Sequence, residues 1–315
     1  MKAIMQDRYG PPEILRLRDT AEPAIGDDQV LVRVRAAGVD PGVWHLTTGL
    51  PYLTRLAFGL RAPRNAVRGM DLSGVVERVG PAVTTLAAGD EVFGVGDGTF
   101  AEFAAVRADR LAAKPPNVTF EEAAAVPVSG MTALQGLCQA GRLRAGQRVL
   151  VFGAGGGVGS FAVQIARAYG ASVTGVCRPA KADLVRSLGA DLEVTGRYDV
   201  ILDTAGRRPL RVLRGLLTPA GVAVIVGGEG GGRILQGFDR QLRALAVSPV
   251  LRQRLVPLMS MPKLADLRTL AGLLAAGTVR PVIDRTFPLA ATVEAILYVA
   301  SGEARGKVVV TVAVA

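Results

Sequence analysis

Several residue types are scarce in this chain of 315 residues. It has two cysteines, Cys138 and Cys177, one histidine, His45, and one tryptophan, Trp44. Two cysteines make no disulfide framework, and a reducing cytoplasm is the expected compartment. Aromatic residues are 5% of the chain, so Ala, Val, Leu and Gly must fill the cores. Lysine occurs only at positions 2, 114, 181, 263 and 307, and arginine supplies most of the positive charge. The formal net charge is +10. The arginines are scattered and rarely interleaved with aromatics, and clusters such as Arg61–Arg68 and Arg207–Arg214 are short. Nucleic-acid binding is therefore not expected. The opening residues have no signal-peptide pattern, and no solenoid repeat is present. The two long uncharged stretches, Ala123–Gly141 and Val149–Ala166, are broken by Gly or Pro and polar residues, so no membrane span is expected.

What is present divides the chain. Up to about residue 120 it reads as short strands between Gly and Pro turns. Val30–Ala36 largely alternates apolar and charged residues, Leu72–Val79 ends at Gly80-Pro81, and Gly89–Gly94 and Ala101–Val106 follow. From about Phe120, strands alternate with helix-length segments. Strands are predicted at Arg148–Phe152, Ser172–Cys177, Val200–Asp203 and Val222–Val226, and helices at Val158–Tyr169 and Lys181–Leu188. That alternation predicts a parallel sheet, hence an α/β class. The tail, Lys307–Val312, is again strand-like and is expected to return to the first domain.

The strongest signal is Phe152-Gly-Ala-Gly-Gly-Gly-Val-Gly159, which follows a strand and opens a helix. Glycines let backbone amides approach a pyrophosphate, and a helix N-terminus favours its charge. Gly153, Gly155, Gly156, Gly157, Val158 and Gly159 are the candidate phosphate-binding residues. NAD-binding chains place an acid at the end of the second strand, to bond the ribose 2′-hydroxyl. Here Cys177-Arg178-Pro179-Ala180-Lys181 stands there, with no acid before Asp183. Arg178 and Lys181 are suited to a 2′-phosphate, so NADP(H) is the expected cofactor.

The order of motifs resembles the zinc-free quinone oxidoreductase-like branch of the medium-chain dehydrogenase/reductases. The marks are Tyr9–Leu15, Ala37-Gly-Val-Asp-Pro41, Gly89–Gly94, Ala124–Ala133, the glycine loop, Ser187–Asp191 and Arg305-Gly-Lys-Val308. The resemblance implies a GroES-like β-rich catalytic domain over 1–120, a Rossmann NADP-binding domain over 121–275, and a return to the catalytic domain over 276–315. It implies an active site in the cleft between them. It sets Thr132 near the nicotinamide, Asp40 and Tyr52 against the substrate, Lys307 near the cofactor phosphates, and Gly227 and Gly228 towards the nicotinamide half. Departures are Asp40, where the family usually has Asn, a chain short by several residues between Asp191 and Tyr198, and Gly196 in place of a common Tyr.

The zinc branch of that superfamily carries Cys after Gly-Val and His-Glu after Gly. The corresponding stretches here are Gly38-Val39-Asp40 and Gly69-Met70-Asp71, and no four-Cys lobe exists. The expected activity is thus zinc-independent hydride transfer from NADPH to a quinone or α,β-unsaturated carbonyl. Two other readings remain open: a non-catalytic dinucleotide sensor, and a dehydrogenase of a specialised secondary metabolite. A homodimer is expected, joined through Gly221–Val226 as an apolar sheet edge.

Overall fold

The computed structural model describes residues 1–227, 232–235, 238–248 and 252–313. The chain forms two compact units. One comprises Met1–Val128, Pro262–Gly277 and Pro281–Ala315; the other comprises Ser129–Met261 and Thr278–Arg280.

The first unit is β-rich. Its strands are β1 (Lys2–Met5), β2 (Arg16–Asp19), β3 (Gln29–Val39), β4 (Asp71–Val79), β5 (Glu91–Val95), β6 (Phe103–Arg107) and β7 (Leu111–Ala113). The second unit contains β8 (Arg148–Phe152), β9 (Ser172–Val176), β10 (Tyr198–Asp203), β11 (Leu217–Ile225) and β12 (Arg254–Pro257). The chain then returns to the first unit with β13 (Ile283–Pro288) and β14 (Lys307–Thr311).

A seven-stranded sheet runs β13-β14-β3-β4-β5-β7, with β6 also on β3. β14 pairs antiparallel with β3 from Val308 opposite Val39 to Thr311 opposite Ala36. Two chain ends thus meet in one sheet. The core beneath is aliphatic: Val30, Val32, Val34, Leu72, Val92, Val308 and Val310 are among its buried members. The apolar positions of long β3 face that core, and its pairing with β4 shifts register at Leu31/Val32 and at Val34/Ala36. Arg33 and Arg35, on its polar side, lie over the rings of Phe103 and Phe120. The helix α1 (Pro41–Thr48) follows β3 directly. Pro41 suits the first helical turn, and Gly49 closes the helix in the left-handed region at φ 62°.

In the second unit all strand pairs are parallel, in the order β12-β11-β10-β8-β9. The order reverses between β8 and β10, which is where open α/β sheets bind ligands. Beyond β9 one parallel bridge joins Thr174 and Asp191, and the chain passes through a bend to β10.

The expected edge strand is a correction. β11, which contains Gly221–Ile225, lies between β10 and β12 and is not an edge. The strand that covers it, β12, has four residues and ends in proline, too little for a periodic signal. Among the described residues no helix is long and apolar enough to cross a membrane.

Candidate active site

The second unit presents the glycine loop at the C-terminal end of β8. Gly153 turns the chain at φ 81°, a conformation that favours glycine. Gly159 is required by close approach: a Cβ there would lie 2.1 Å from the Gly153 carbonyl oxygen. The helix α5 (Gly157–Ala168) then begins with Gly156 at its N-cap, and no side chain caps it. The first amides, of Gly157, Val158 and Gly159, precede any intrahelical partner, so this end suits an anion. That is the fit expected for a dinucleotide pyrophosphate.

Beside the loop, Lys181 is buried, and its methylene stem packs where a Cβ on Gly155 would stand. Arg178 is exposed just beyond β9. Burial raises the Cys177 thiol above its ordinary pKa, while the nearby cations Lys181 and Arg186 act in the opposite direction. Thr132 is buried in the helix Pro127–Leu134. Gly227 follows β11, and its N–H donates to the Asp203 carbonyl oxygen at 3.2 Å. Gly228 lies outside the described residues.

Sequence reasoning missed a neighbour of this region. Asp203, fully buried at the end of β10, accepts from the Gly206 N–H at 3.0 Å and pairs with Arg240. Arg240 also donates to the Gly227 carbonyl oxygen at 3.2 Å. This buried ion pair ties the turn after β10 to the end of β11. Its only signal was an acid closing an apolar strand.

In the first unit, three charged side chains converge. Asp40 is 5% exposed, Asp71 0% and Lys307 1%. Lys307 Nζ lies 2.5 Å from Asp40 Oδ2 and 3.6 Å from Asp71 Oδ2. Asp71 Oδ1 accepts the Val128 N–H at 2.9 Å. Burial holds the Asp71 carboxyl well above its ordinary pKa, and the adjacent Asp40 charge adds to this. Lys307 and the Val128 N–H oppose it only in part. Lys307, which the resemblance sets near the cofactor phosphates, thus lies in a buried group with its ammonium paired to Asp40.

Tyr52, the other expected substrate contact, is 42% exposed and has the Arg55 guanidinium 4.7 Å from its ring centroid. His45 packs edge-on to Trp44 and shares a hydrogen bond of 2.8 Å with the Leu50 carbonyl oxygen. Among the described residues, no group of three or more His, Cys, Asp or Glu side chains is placed to hold a metal ion.

A GroES-like β domain joined to a parallel dinucleotide-binding sheet defines an oxidoreductase of the alcohol dehydrogenase type. Residues 26–116 match the alcohol dehydrogenase GroES-like domain, and residues 180–310 match the model described as zinc-binding dehydrogenase. The chain is 33% identical to 2-methylene-furan-3-one reductase of Solanum lycopersicum, over 98% of this chain and 79% of that protein. It is 32% identical to the chloroplastic NADPH-dependent alkenal/one oxidoreductase of Arabidopsis thaliana, over 98% of this chain and 79% of that one. The quinone oxidoreductase of Coxiella burnetii superposes with a TM-score of 0.85 at 27% identity, covering 99% of both chains. The chain belongs to the quinone oxidoreductase-like branch of the medium-chain dehydrogenase/reductase superfamily, and it is a nicotinamide-dependent oxidoreductase.

Proposed function

We propose that the protein is a zinc-independent reductase that uses NADPH to transfer hydride to a quinone or an α,β-unsaturated carbonyl. One observation carries the zinc-independent part: the Lys307 ammonium stands between Asp40 and Asp71. These acids occupy the stretches where the zinc branch has its Cys and its His-Glu pair. A buried cation there opposes a second, divalent one, and the donors offered are two carboxylates without His or Cys. The residues do not fit zinc. The relatives named for enone reduction support the acceptor class.

The amides at the start of α5 hold the pyrophosphate, with the glycine loop allowing close approach. Arg178 would hold the 2′-phosphate through its planar fork, and the Lys181 stem packs over Gly155. Thr132 and Gly227 would hold the nicotinamide half. When bound, the reduced nicotinamide supplies the hydride. Asp40, pinned by Lys307, and Tyr52 position the acceptor. An electron-poor alkene or quinone accepts hydride without a metal to polarise it, and solvent supplies the proton. We also propose a cytoplasmic enzyme, consistent with two cysteines outside any disulfide. We further propose a homodimer, for which β12 offers the sheet edge.

The test is NADPH oxidation with a panel of quinones and enones, on protein dialysed against a chelator and checked by elemental analysis. Turnover without stoichiometric zinc is expected. Activity that disappears with a tightly held zinc and returns on its addition would overturn the reading.

A further inference from the structure

We propose that the acceptor is itself an acid, its carboxylate held by Arg68 and its carbon chain laid on the apolar side chains of residues 53–60. The inference rests on the reductase reading above and names the substrate class more closely.

Arg68 lies on a short antiparallel ladder. Val67 bridges Met5, and the Arg68 N–H donates to the Ile4 carbonyl oxygen at 3.0 Å. The side chain is 5% exposed, and its Nε is buried with no hydrogen-bond partner. A buried guanidinium lacking a full set of acceptors is costly, and native structures rarely keep one without a use. Burial lowers its pKa. The charges that act against this belong to Tyr9 and to Asp97, which sits on an exposed turn.

More positive charge surrounds the same place. Arg55, Arg64 and Arg68 all act on the Tyr9 phenol, whose pKa is nonetheless raised because burial outweighs them. Arg55 is already committed. Its guanidinium stacks 4.5 Å from the Tyr9 ring centroid and 4.7 Å from that of Tyr52, and its Nε donates to the Gly49 carbonyl oxygen at 2.9 Å. Arg64 is exposed and Tyr9 partly so, which puts Arg68 just beneath the surface. With Nε shut from solvent, a carboxylate would meet the guanidinium end-on, through its two Nη groups. One buried guanidinium balances one negative charge, which suits a carboxylate better than a phosphate dianion.

The apolar half lies in the same segment. Leu53, Leu56, Phe58 and Leu60 are 46%, 63%, 46% and 67% exposed. The Tyr9 hydroxyl donates to the Gly59 carbonyl oxygen at 2.7 Å, which ties this exposed apolar segment to the basic cluster, and exposed apolar surface of this kind marks binding sites. Together the two halves fit an amphiphile with an anionic head.

The experiment compares a medium-chain enone carrying a terminal carboxylate with its methyl ester, using the full-length protein and NADPH. In wild type the acid should be favoured by about tenfold or more in kcat/KM, the discrimination expected of a site built for a charged group. Arg68→Met should remove that preference and leave the ester within about twofold of wild type. Arg68→Lys, which keeps the charge but not the fork, should recover little of it. Arg64→Ala, at an exposed position, should lower the acid's kcat/KM by about two- to threefold and serves if the Arg68 variants do not fold. Calorimetry with decanoate and decanol, without cofactor, reads binding alone. Decanoate should bind wild type and not Arg68→Met, with decanol indifferent to the change. If decanoate binds through Arg68 while no enone is reduced, the reductase reading fails and the acid site stands. Equal rates for acid and ester in wild type, or decanoate binding unaffected in Arg68→Met, would overturn the proposal.

Discussion

Lys307 and Asp40 are 267 positions apart in the chain, yet their charged atoms meet at 2.5 Å in the interior of the first unit. β14 brings the lysine and the end of β3 brings the aspartate, and the antiparallel pairing of the two strands fixes the distance. Asp71, at the start of the adjacent β4, completes the group.

Removing the cation alone should be expensive. Lys307→Met leaves two buried carboxyl groups without their counter-charge. Breaking a buried pair from one side typically costs about 3–5 kcal/mol. Denaturant unfolding at neutral pH should show a loss of that order, and lowering the pH towards the carboxylate range should recover part of it. A variant as stable as wild type at neutral pH would mean the ammonium does not balance these acids.

Asp71 should make stability depend on pH in a defined direction. Burial holds its folded pKa well above the ordinary carboxylate value. Between the unfolded and folded values the native state binds more protons, so this group's contribution falls as pH rises through that window. Asp71→Asn removes the titration. The gap in melting temperature between variant and wild type should therefore move in the variant's favour as pH increases above about 4. A gap constant with pH, or moving the other way, would contradict the assignment.

The glycine loop should tolerate no methyl group at position 159. In Gly159→Ala the added Cβ would meet the Gly153 carbonyl oxygen at 2.1 Å and the Ala154 Cα at 2.7 Å, both backbone. The loop must shift, at a cost of about 1–3 kcal/mol in stability. Loss of NADPH and NADH affinity together is expected in a fluorescence titration. Unchanged affinity for both would remove this loop from the cofactor site.

Arg178 should separate the two cofactors. Arg178→Ala is expected to weaken NADPH binding by about five- to tenfold, a charge-assisted bond reduced by solvent exposure. NADH, lacking the 2′-phosphate, should change by less than about twofold on the same reasoning. The single variant is cleaner than one that also removes Lys181, whose stem packs against the loop. Equal losses for both cofactors would show that Arg178 does not read the phosphate.

Much of this architecture is local and therefore legible in the sequence. The alternation in β3, the apolar run of β8 and the glycines after it each carry their own periodicity or backbone requirement, so Gly153–Gly159 could be placed at a strand-to-helix turn by inspection. Other features have no local signature. The sequence offered Gly221–Val226 as an edge, and only the pairing with Arg254–Pro257 made it interior. Asp203 and Arg240 meet across 37 positions, and neither residue's neighbours foretell the pair.

Sequence alone determined the class of fold and the position of the glycine loop, because hydrophobic period and glycine spacing act over a few residues. Tertiary structure decided what Asp40, Asp71 and Lys307 do. Each is an ordinary charged residue in its own segment. Only the meeting of β3, β4 and β14 in one sheet excludes water from all three and makes their charges answer to one another.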